Sequence, residues 1–186
     1  RRRGLNYELT QKALNWAREN HEFFFLFADT DAFPFYKKCG FRRTLEHKER
    51  FAIDGKHACR GADKLDIQRK DHLELIRRIA LERESVSDML GAYDLRLLMF
   101  WCIYFLKDNI YYITDLDLLV LYERKEELVT VFDIVGKTVP PFEEIYPYIS
   151  IENDKSVEFM FMTDKMDIGR SGELIPVEAN LTHLMG

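Results

Sequence analysis

The alternation of apolar and polar positions predicts a helix followed by a strand at the start of the chain. Apolar side chains recur every four residues over residues 5–20, at Leu5, Leu9, Ala13 and Ala17. Residues 21–28 contain a continuous apolar run, Phe23-Phe24-Phe25-Leu26-Phe27. Such a run is typical of a strand that is covered on both faces. We therefore expect the first helix to lead directly into a buried strand.

A second helix and a further strand region are predicted before residue 54. Pro34 falls in the first turn of a helix over residues 32–39, where a missing N–H costs little, and Gly40 is placed to end it. Residues 41–53 have the pattern of one or two strands that close on a turn. Residues 54–63 hold two glycines and several polar side chains, and we interpret them as a linker.

After this linker the pattern starts again and predicts a second series of elements. The expected order is strand, two helices, three strands, helix, strand, which indicates a mixed α/β fold. The predicted strands cover residues 64–69, 110–113, 118–123, 128–135, 157–163 and 174–177, and the predicted helices cover 71–84, 87–107 and 141–148.

Composition limits the classes of function. The chain has 186 residues, and its net charge of −5 disfavours a general nucleic-acid binder, which needs a basic surface. The three cysteines, Cys39, Cys59 and Cys102, lack the spacing of a disulfide framework or a zinc site, so we expect a reducing, cytoplasmic setting. The start has no apolar secretory segment, and the apolar run over residues 97–106 is too short for a bilayer span of about 20 residues.

The first six residues, Arg1-Arg2-Arg3-Gly4-Leu5-Asn6, have the chemistry of an anion site. A helix N-terminus leaves its first N–H groups unpaired and carries partial positive charge. Glycine lets the backbone approach a ligand closely, and arginines add full charge and forked donors. A pyrophosphate would suit all three features, although arginines before a helix are also common as solvated surface.

A second segment, Phe35-Tyr36-Lys37-Lys38-Cys39-Gly40-Phe41, falls on the next predicted helix. In these two segments the chain resembles the GNAT superfamily of N-acetyltransferases. That family has an Arg/Gln-x-x-Gly-x-Gly/Ala loop that opens a helix, then a strand, then a helix carrying Phe-Tyr-x-x-x-Gly-Phe. The resemblance covers residues 1–53, which would form the C-terminal half of one family domain.

The resemblance implies a role for each matching residue. The arginines and backbone N–H groups of the loop would hold the pyrophosphate of acetyl-CoA, the co-substrate. Tyr36 would protonate the departing thiolate, a role that suits a phenol. Asp29 stands where the family often has an asparagine that touches the coenzyme. The expected coenzyme-binding residues are thus Arg1, Arg2, Arg3, Gly4, Leu5, Asn6 and Asp29.

Three departures from the family pattern support an alternative, a non-catalytic acyl-CoA-binding or regulatory module of the same fold. Asn6 replaces the small last residue of the loop, and an acid at Asp29 would repel phosphates unless it points away. Residues 64–186 repeat the element order of the family, but their loop at residues 135–140 has no arginine. We expect them to form a degenerate second GNAT-like domain, with a helix–sheet domain of another kind as the alternative.

The partners expected from this interpretation are few. The acceptor would be a small-molecule or peptide amine, and the amine-binding residues would mostly precede Arg1. The five histidines lack metal-ligand spacing, so no metal is expected. We expect neither a nucleic-acid nor a membrane partner. A third hypothesis, nucleic-acid binding by Arg1–Arg3 with Arg42 and Arg43, conflicts with the acidic net charge. The oligomeric state stays open, with a homodimer as one arrangement.

Overall fold

The computed structural model describes residues 4–55, 60–91, 94–168 and 172–177. In these residues the chain is a mixed α/β protein, as predicted, with five α-helices and a seven-stranded mixed sheet. The chain divides into two compact units. The first contains the residues up to 47 and those from 176 onward, and the second contains residues 48–175.

The first unit is built from short helical elements. Helix α1 (Leu5–Asn20) has the predicted bounds. A 3₁₀ turn (Thr30–Ala32) leads into α2 (Phe33–Lys38), close to the predicted position, with proline in its first turn. Gly40 follows α2 with φ of 100°, a left-handed conformation that glycine adopts at low cost.

The predicted strand at residues 21–28 is wrong, because these residues are irregular. Phe23 is 78% exposed, and Phe25 and Phe27 are also exposed. A strand that is apolar on both faces needs neighbouring strands and a covering layer, which a local pattern cannot specify. In the described part of the chain, no strand pairs with this run.

The remaining elements form the sheet and the helices that cover it. In chain order they are β1 (His47–Ala52), β2 (Asp63–Lys64), α3 (Lys70–Leu81), α4 (Leu95–Tyr104), β3 (Ile110–Ile113), β4 (Leu118–Lys125), β5 (Leu128–Val135), α5 (Phe142–Ile149), β6 (Ser156–Phe159) and β7 (Glu173–Pro176). Strands β3 and β5 have the predicted bounds. From β2 to β6 the order matches the predicted strand, two helices, three strands, helix, strand.

The strand order of the sheet is β2-β3-β4-β5-β6-β1-β7. Strands β3, β4 and β5 form an antiparallel meander, and β6 pairs antiparallel with β1. Strand β6 runs parallel to β5, which the intervening α5 makes possible as a crossover. Their pairing ends at Val131 and Phe159, and β5 continues to Val135 beyond it.

Helices cover both faces of this sheet. Alternate residues of β4 point to opposite faces, so Val120 packs in one cluster with Ile145 and Ile149 of α5. Leu121 packs in the other cluster, with residues of α3 and α4 that include Cys102. Both clusters contain many side chains with no exposed surface, so the second unit has a buried core on each face of the sheet.

Several elements are shorter than predicted. The strand predicted at 157–163 ends at Phe159, and the helix predicted at 71–84 ends at Leu81. Local hydrogen bonds explain two further differences. The predicted strand at 64–69 reduces to β2, because the Asp66 carboxylate and carbonyl accept N–H groups two and three residues ahead and form a turn. The predicted helix at 87–107 begins at Leu95. The Ser87 hydroxyl accepts the N–H groups of Met89 and Leu90 in a separate turn, and the Asp94 carboxylate caps the helix by accepting the Arg96 N–H at 2.8 Å. In the described residues, no helix has the length and apolarity needed to span a bilayer.

Candidate functional site

The N-terminus of α1 lies at an open surface and has free N–H groups. Gly4 precedes the helix with φ of 74° and ψ of 0°, and no side chain caps it. The first intrahelical bond runs from the Glu8 N–H to the Gly4 carbonyl, at 3.1 Å. The N–H groups of Leu5, Asn6 and Tyr7 therefore have no acceptor within the helix. Such unpaired N–H groups at a helix N-terminus can bind an anion. Leu5 and Asn6, which carry two of these groups, are exposed.

The other expected coenzyme ligands are Arg1, Arg2, Arg3 and Asp29. Arg1, Arg2 and Arg3 lie outside the described residues. Asp29 is exposed and begins the 3₁₀ turn before α2, where its carbonyl accepts the Ala32 N–H at 2.8 Å. Glu8 puts one negative charge in the first turn of α1, which weakens the attraction of this terminus for anions.

Tyr36 lies on α2 within a small aromatic cluster. Its ring is edge-on to Phe35 at 5.2 Å and to Phe41 at 5.8 Å between ring centroids. The Phe41 N–H donates to the Tyr36 carbonyl at 3.1 Å, which folds the chain back after Gly40. Tyr36 is half-buried, so its position is fixed by packing while part of the side chain reaches solvent.

The structure packs the end of the second motif segment against helix α1. The Gln11 side-chain amide donates to the carbonyl of Cys39 at 3.4 Å, and Cys39 is buried. The Lys38 ammonium lies over the Tyr7 ring, 5.2 Å from its centroid. The end of α2 thus rests against the first half of α1. Lys38 places a positive charge over the Tyr7 side chain in the first turn of α1, a contribution that the sequence motif did not identify.

The second unit contains an acidic pocket of about 370 Å³, which sequence reasoning also missed. Glu49 of β1, Asp164 and Asp167 supply three carboxylates, and the ring of Phe51 forms part of the wall. The other lining residues are Thr163, Ile168, Gly172 and Leu174. Its chemistry suits a cation, although no group of His, Cys, Asp and Glu in the described residues has the arrangement of a metal site.

Two of the three carboxylates of this acidic pocket accept hydrogen bonds from neighbouring donors. The Thr163 hydroxyl donates to Glu49 Oε2. Burial raises the pKa of Asp164, but hydrogen bonds from the Ser87 side chain and the Asp88 N–H outweigh this effect and leave the pKa below its usual value. Asp164 therefore stays ionised at neutral pH. The Asp164 carboxylate therefore contributes a negative charge to the lining of the pocket.

The start of α5, which follows the loop expected to correspond to the coenzyme loop, differs from the start of α1. The Phe142 N–H donates to the Met166 carbonyl at 2.9 Å, so the chain itself occupies this terminus. Glu143 and Glu144 add two negative charges in the first turn. Both features oppose anion binding, because they remove a donor and reverse the local charge.

Comparison with protein families finds no matching family model, and comparison with curated proteins finds no matching sequence. The interpretation of the site therefore rests on its residues and geometry.

Proposed function

We propose that this chain belongs to an acetyl-CoA-dependent N-acetyltransferase of the GNAT type, and that the N-terminus of α1 binds the coenzyme pyrophosphate. The observation that carries the proposal is the loop geometry at Gly4. A left-handed glycine leads into three free N–H groups, and the Phe-Tyr-x-x-x-Gly-Phe segment packs against the same helix. These two features match what the family motifs would require, and they support a pyrophosphate site at the start of α1.

Charge supports coenzyme binding at this position. A pyrophosphate would accept hydrogen bonds from the N–H groups of Leu5, Asn6 and Tyr7. Lys38 adds an ammonium group close to Tyr7, which offsets the unfavourable charge of Glu8. The opening arginines of the sequence would add further positive charge.

The proposed reaction is direct transfer. The lone pair of a primary amine attacks the thioester carbonyl, a C–N bond forms, and the C–S bond breaks with the electron pair moving to sulfur. The amine nitrogen loses a proton, and Tyr36 donates a proton to the thiolate. Catalysis would come mainly from positioning the two substrates and from protonating the leaving group. No residue is assigned as the base.

The second unit supports the fold part of the proposal. From β2 to β6 its elements follow the order of strand, two helices, three strands, helix and parallel strand expected for the family. We propose that this unit is a degenerate GNAT-like domain that does not bind acetyl-CoA, since the start of α5 is occupied and acidic.

The alternative is a module of the same fold that binds acyl-CoA without transferring the acyl group. Glu8 and Asn6 at the start of α1 favour it, because neither residue strengthens the binding of a phosphate. The two functions differ in one measurement. The enzyme releases free CoA thiol when an amine is present, and the module binds the coenzyme but releases none.

The substitution Tyr36→Phe tests the enzymatic proposal. We expect kcat to fall by about 10²-fold with little change in coenzyme affinity, because only the proton donor is lost. The alkaline limb of the pH–rate profile should also disappear, since it reports ionisation of the acid. The assay is thiol release from acetyl-CoA across a panel of primary amines. Tyr104→Phe, which removes an exposed hydroxyl from the second unit, is the matched control. An unchanged rate for Tyr36→Phe at every pH would remove the acid role.

A further inference from the structure

The outward side of α4 is apolar, although this side of a surface helix is normally polar. Leu98 and Cys102 point inward and are buried. On the opposite side, Tyr104 is 68% exposed and Phe100 is 46% exposed. We define the α4 aromatic face as the five exposed apolar residues of this side and of the helix end: Leu97, Phe100, Ile103, Tyr104 and Phe105.

These side chains form one contiguous patch. The Phe100 ring lies 5.0 Å from the Tyr104 ring and 5.6 Å from the Phe105 ring, measured between centroids. Trp101 extends the patch, with its ring 4.7 Å from that of Phe105. The aromatic rings therefore present a continuous surface.

The size of the α4 aromatic face is close to what a stable dimer needs. With about 200 Å² for a fully exposed large side chain, its five residues expose on the order of 500 Å². That value lies near the upper end of the largest apolar patch found on ordinary monomers, roughly 300–600 Å². It also matches the apolar share, about 60%, of the roughly 800 Å² that each partner buries in a standard interface.

The charges around the face fit a second copy of the chain. No charged residue lies between Arg96 and Lys107. At the start of the helix Arg96 is paired with Asp94, and after its end Lys107 is followed by Asp108. In an antiparallel pair of α4 helices, Asp94 and Arg96 of one copy would lie near Lys107 and Asp108 of the other. Each of these two groups has no net charge, so they would not repel each other. A membrane surface fits less well, because interfacial helices carry an excess of Lys and Arg, whereas Arg96 and Lys107 each have an acidic neighbour in the sequence, Asp94 and Asp108.

We propose that the α4 aromatic face is a self-association surface, on which a second copy of this chain docks with its own α4 antiparallel. The twofold axis passes near Phe100, which lies in the middle of the face, so the same residue faces itself across the interface. Antiparallel packing also sets the two helix dipoles in opposite directions, which is favourable. The proposal is independent of the coenzyme site.

The test is sedimentation equilibrium of the full chain between about 1 µM and about 100 µM, a range that covers weak to stable association. We expect a monomer–dimer equilibrium. Phe100→Lys and Phe100→Glu should each weaken association by at least about tenfold, because the two copies of the substituted residue would place like charges opposite each other in the interface. An equimolar mixture of these two variants should recover the dimer, since Lys then faces Glu.

The control is Leu81→Lys, at the end of α3, where the wild-type side chain is 58% exposed in the same unit. It should leave the dimer unchanged, and circular dichroism should confirm that all variants fold. Recovery in the mixture is specific to self-pairing of this face. A wild-type chain that stays monomeric over the whole range, or variants whose mixture does not recover association, would overturn the proposal.

Discussion

Buried charge in the second unit is held in pairs, and one pair lies beneath α4. The Arg83 guanidinium donates two hydrogen bonds to the Asp133 carboxylate, at 2.9 and 3.0 Å, and the Arg83 side chain is only 8% exposed. Burial raises the pKa of Asp133, although Arg83 opposes this effect. Burial also raises the pKa of the nearby Cys102 thiol to about 12, so Cys102 is an inert core residue.

Replacing one partner of the Arg83–Asp133 pair should lower the free energy of unfolding by an amount that depends on pH. Arg83→Met leaves the Asp133 carboxylate without its cation, and we expect a loss of about 3 kcal/mol in the free energy of unfolding at pH 8. The folded pKa of Asp133 then lies still higher than its unfolded value. The loss should therefore shrink as pH falls toward 5 and the carboxyl binds a proton. Denaturant titrations at the two pH values measure it.

Arg78→Met is the matched control for this prediction. Arg78 makes an equally bidentate contact with Asp117, at 2.6 and 2.9 Å, but both side chains are about half exposed. Hydrogen bonds from Arg78 and Tyr112 lower the pKa of Asp117 to about 2. The contribution of the Arg78–Asp117 pair to stability is present at neutral pH and is lost only as pH falls from about 4 to about 2, where Asp117 binds a proton. Solvent screening should keep the cost of Arg78→Met below about 1 kcal/mol. Equal losses for the two variants would contradict the account.

At the scale of elements, the bounds of a strand were predicted correctly where its local apolar pattern is matched by pairing with a neighbouring strand. Strands β3 and β5 have the predicted bounds because each apolar run is flanked by turns and lies in the antiparallel meander. The aromatic run at residues 21–28 has an equally strong apolar pattern but has no paired strand in the described part of the chain. The start of α4 was predicted too early because the Asp94 cap is a side-chain effect that hydrophobic periodicity does not detect.

Gly55 tests how the end of β1 is fixed against the turn after α5. A Cβ at Gly55 would lie 2.4 Å from the Ile151 carbonyl oxygen and 2.6 Å from that of Glu152. Both contacts are with backbone, which cannot move aside, so Gly55→Ala should cost about 2–3 kcal/mol. Thermal unfolding followed by circular dichroism measures this loss. Gly61→Ala is the comparison, because a Cβ at Gly61 meets open space and only its φ of 79° carries a cost, about 1 kcal/mol. A Gly55→Ala variant as stable as the wild type would show that the turn is not packed as described.

At the scale of the whole molecule, the sequence predicts parts of the site that lie within one motif. Gly4 and Tyr36 were proposed from local spacing, and the helix that follows Gly4 contacts the end of α2. The acidic pocket does not follow, since Glu49 and Thr163 are 114 positions apart and meet only through the sheet topology. Lys38 was missed for a related reason, because its contact with Tyr7 depends on how α2 folds back on α1.

Calorimetric titration of the full chain with acetyl-CoA tests the central claim most directly, in the wild type and in Gly4→Ala and Gly61→Ala. Both substitutions place a side chain on a left-handed glycine with open space around it, so their effects on stability should be similar. We expect the wild type to bind the coenzyme, Gly4→Ala to weaken binding by about tenfold through loss of the loop geometry, and Gly61→Ala to leave it unchanged. No binding by the wild type, or an equal loss in both variants, would contradict a pyrophosphate site at the start of α1.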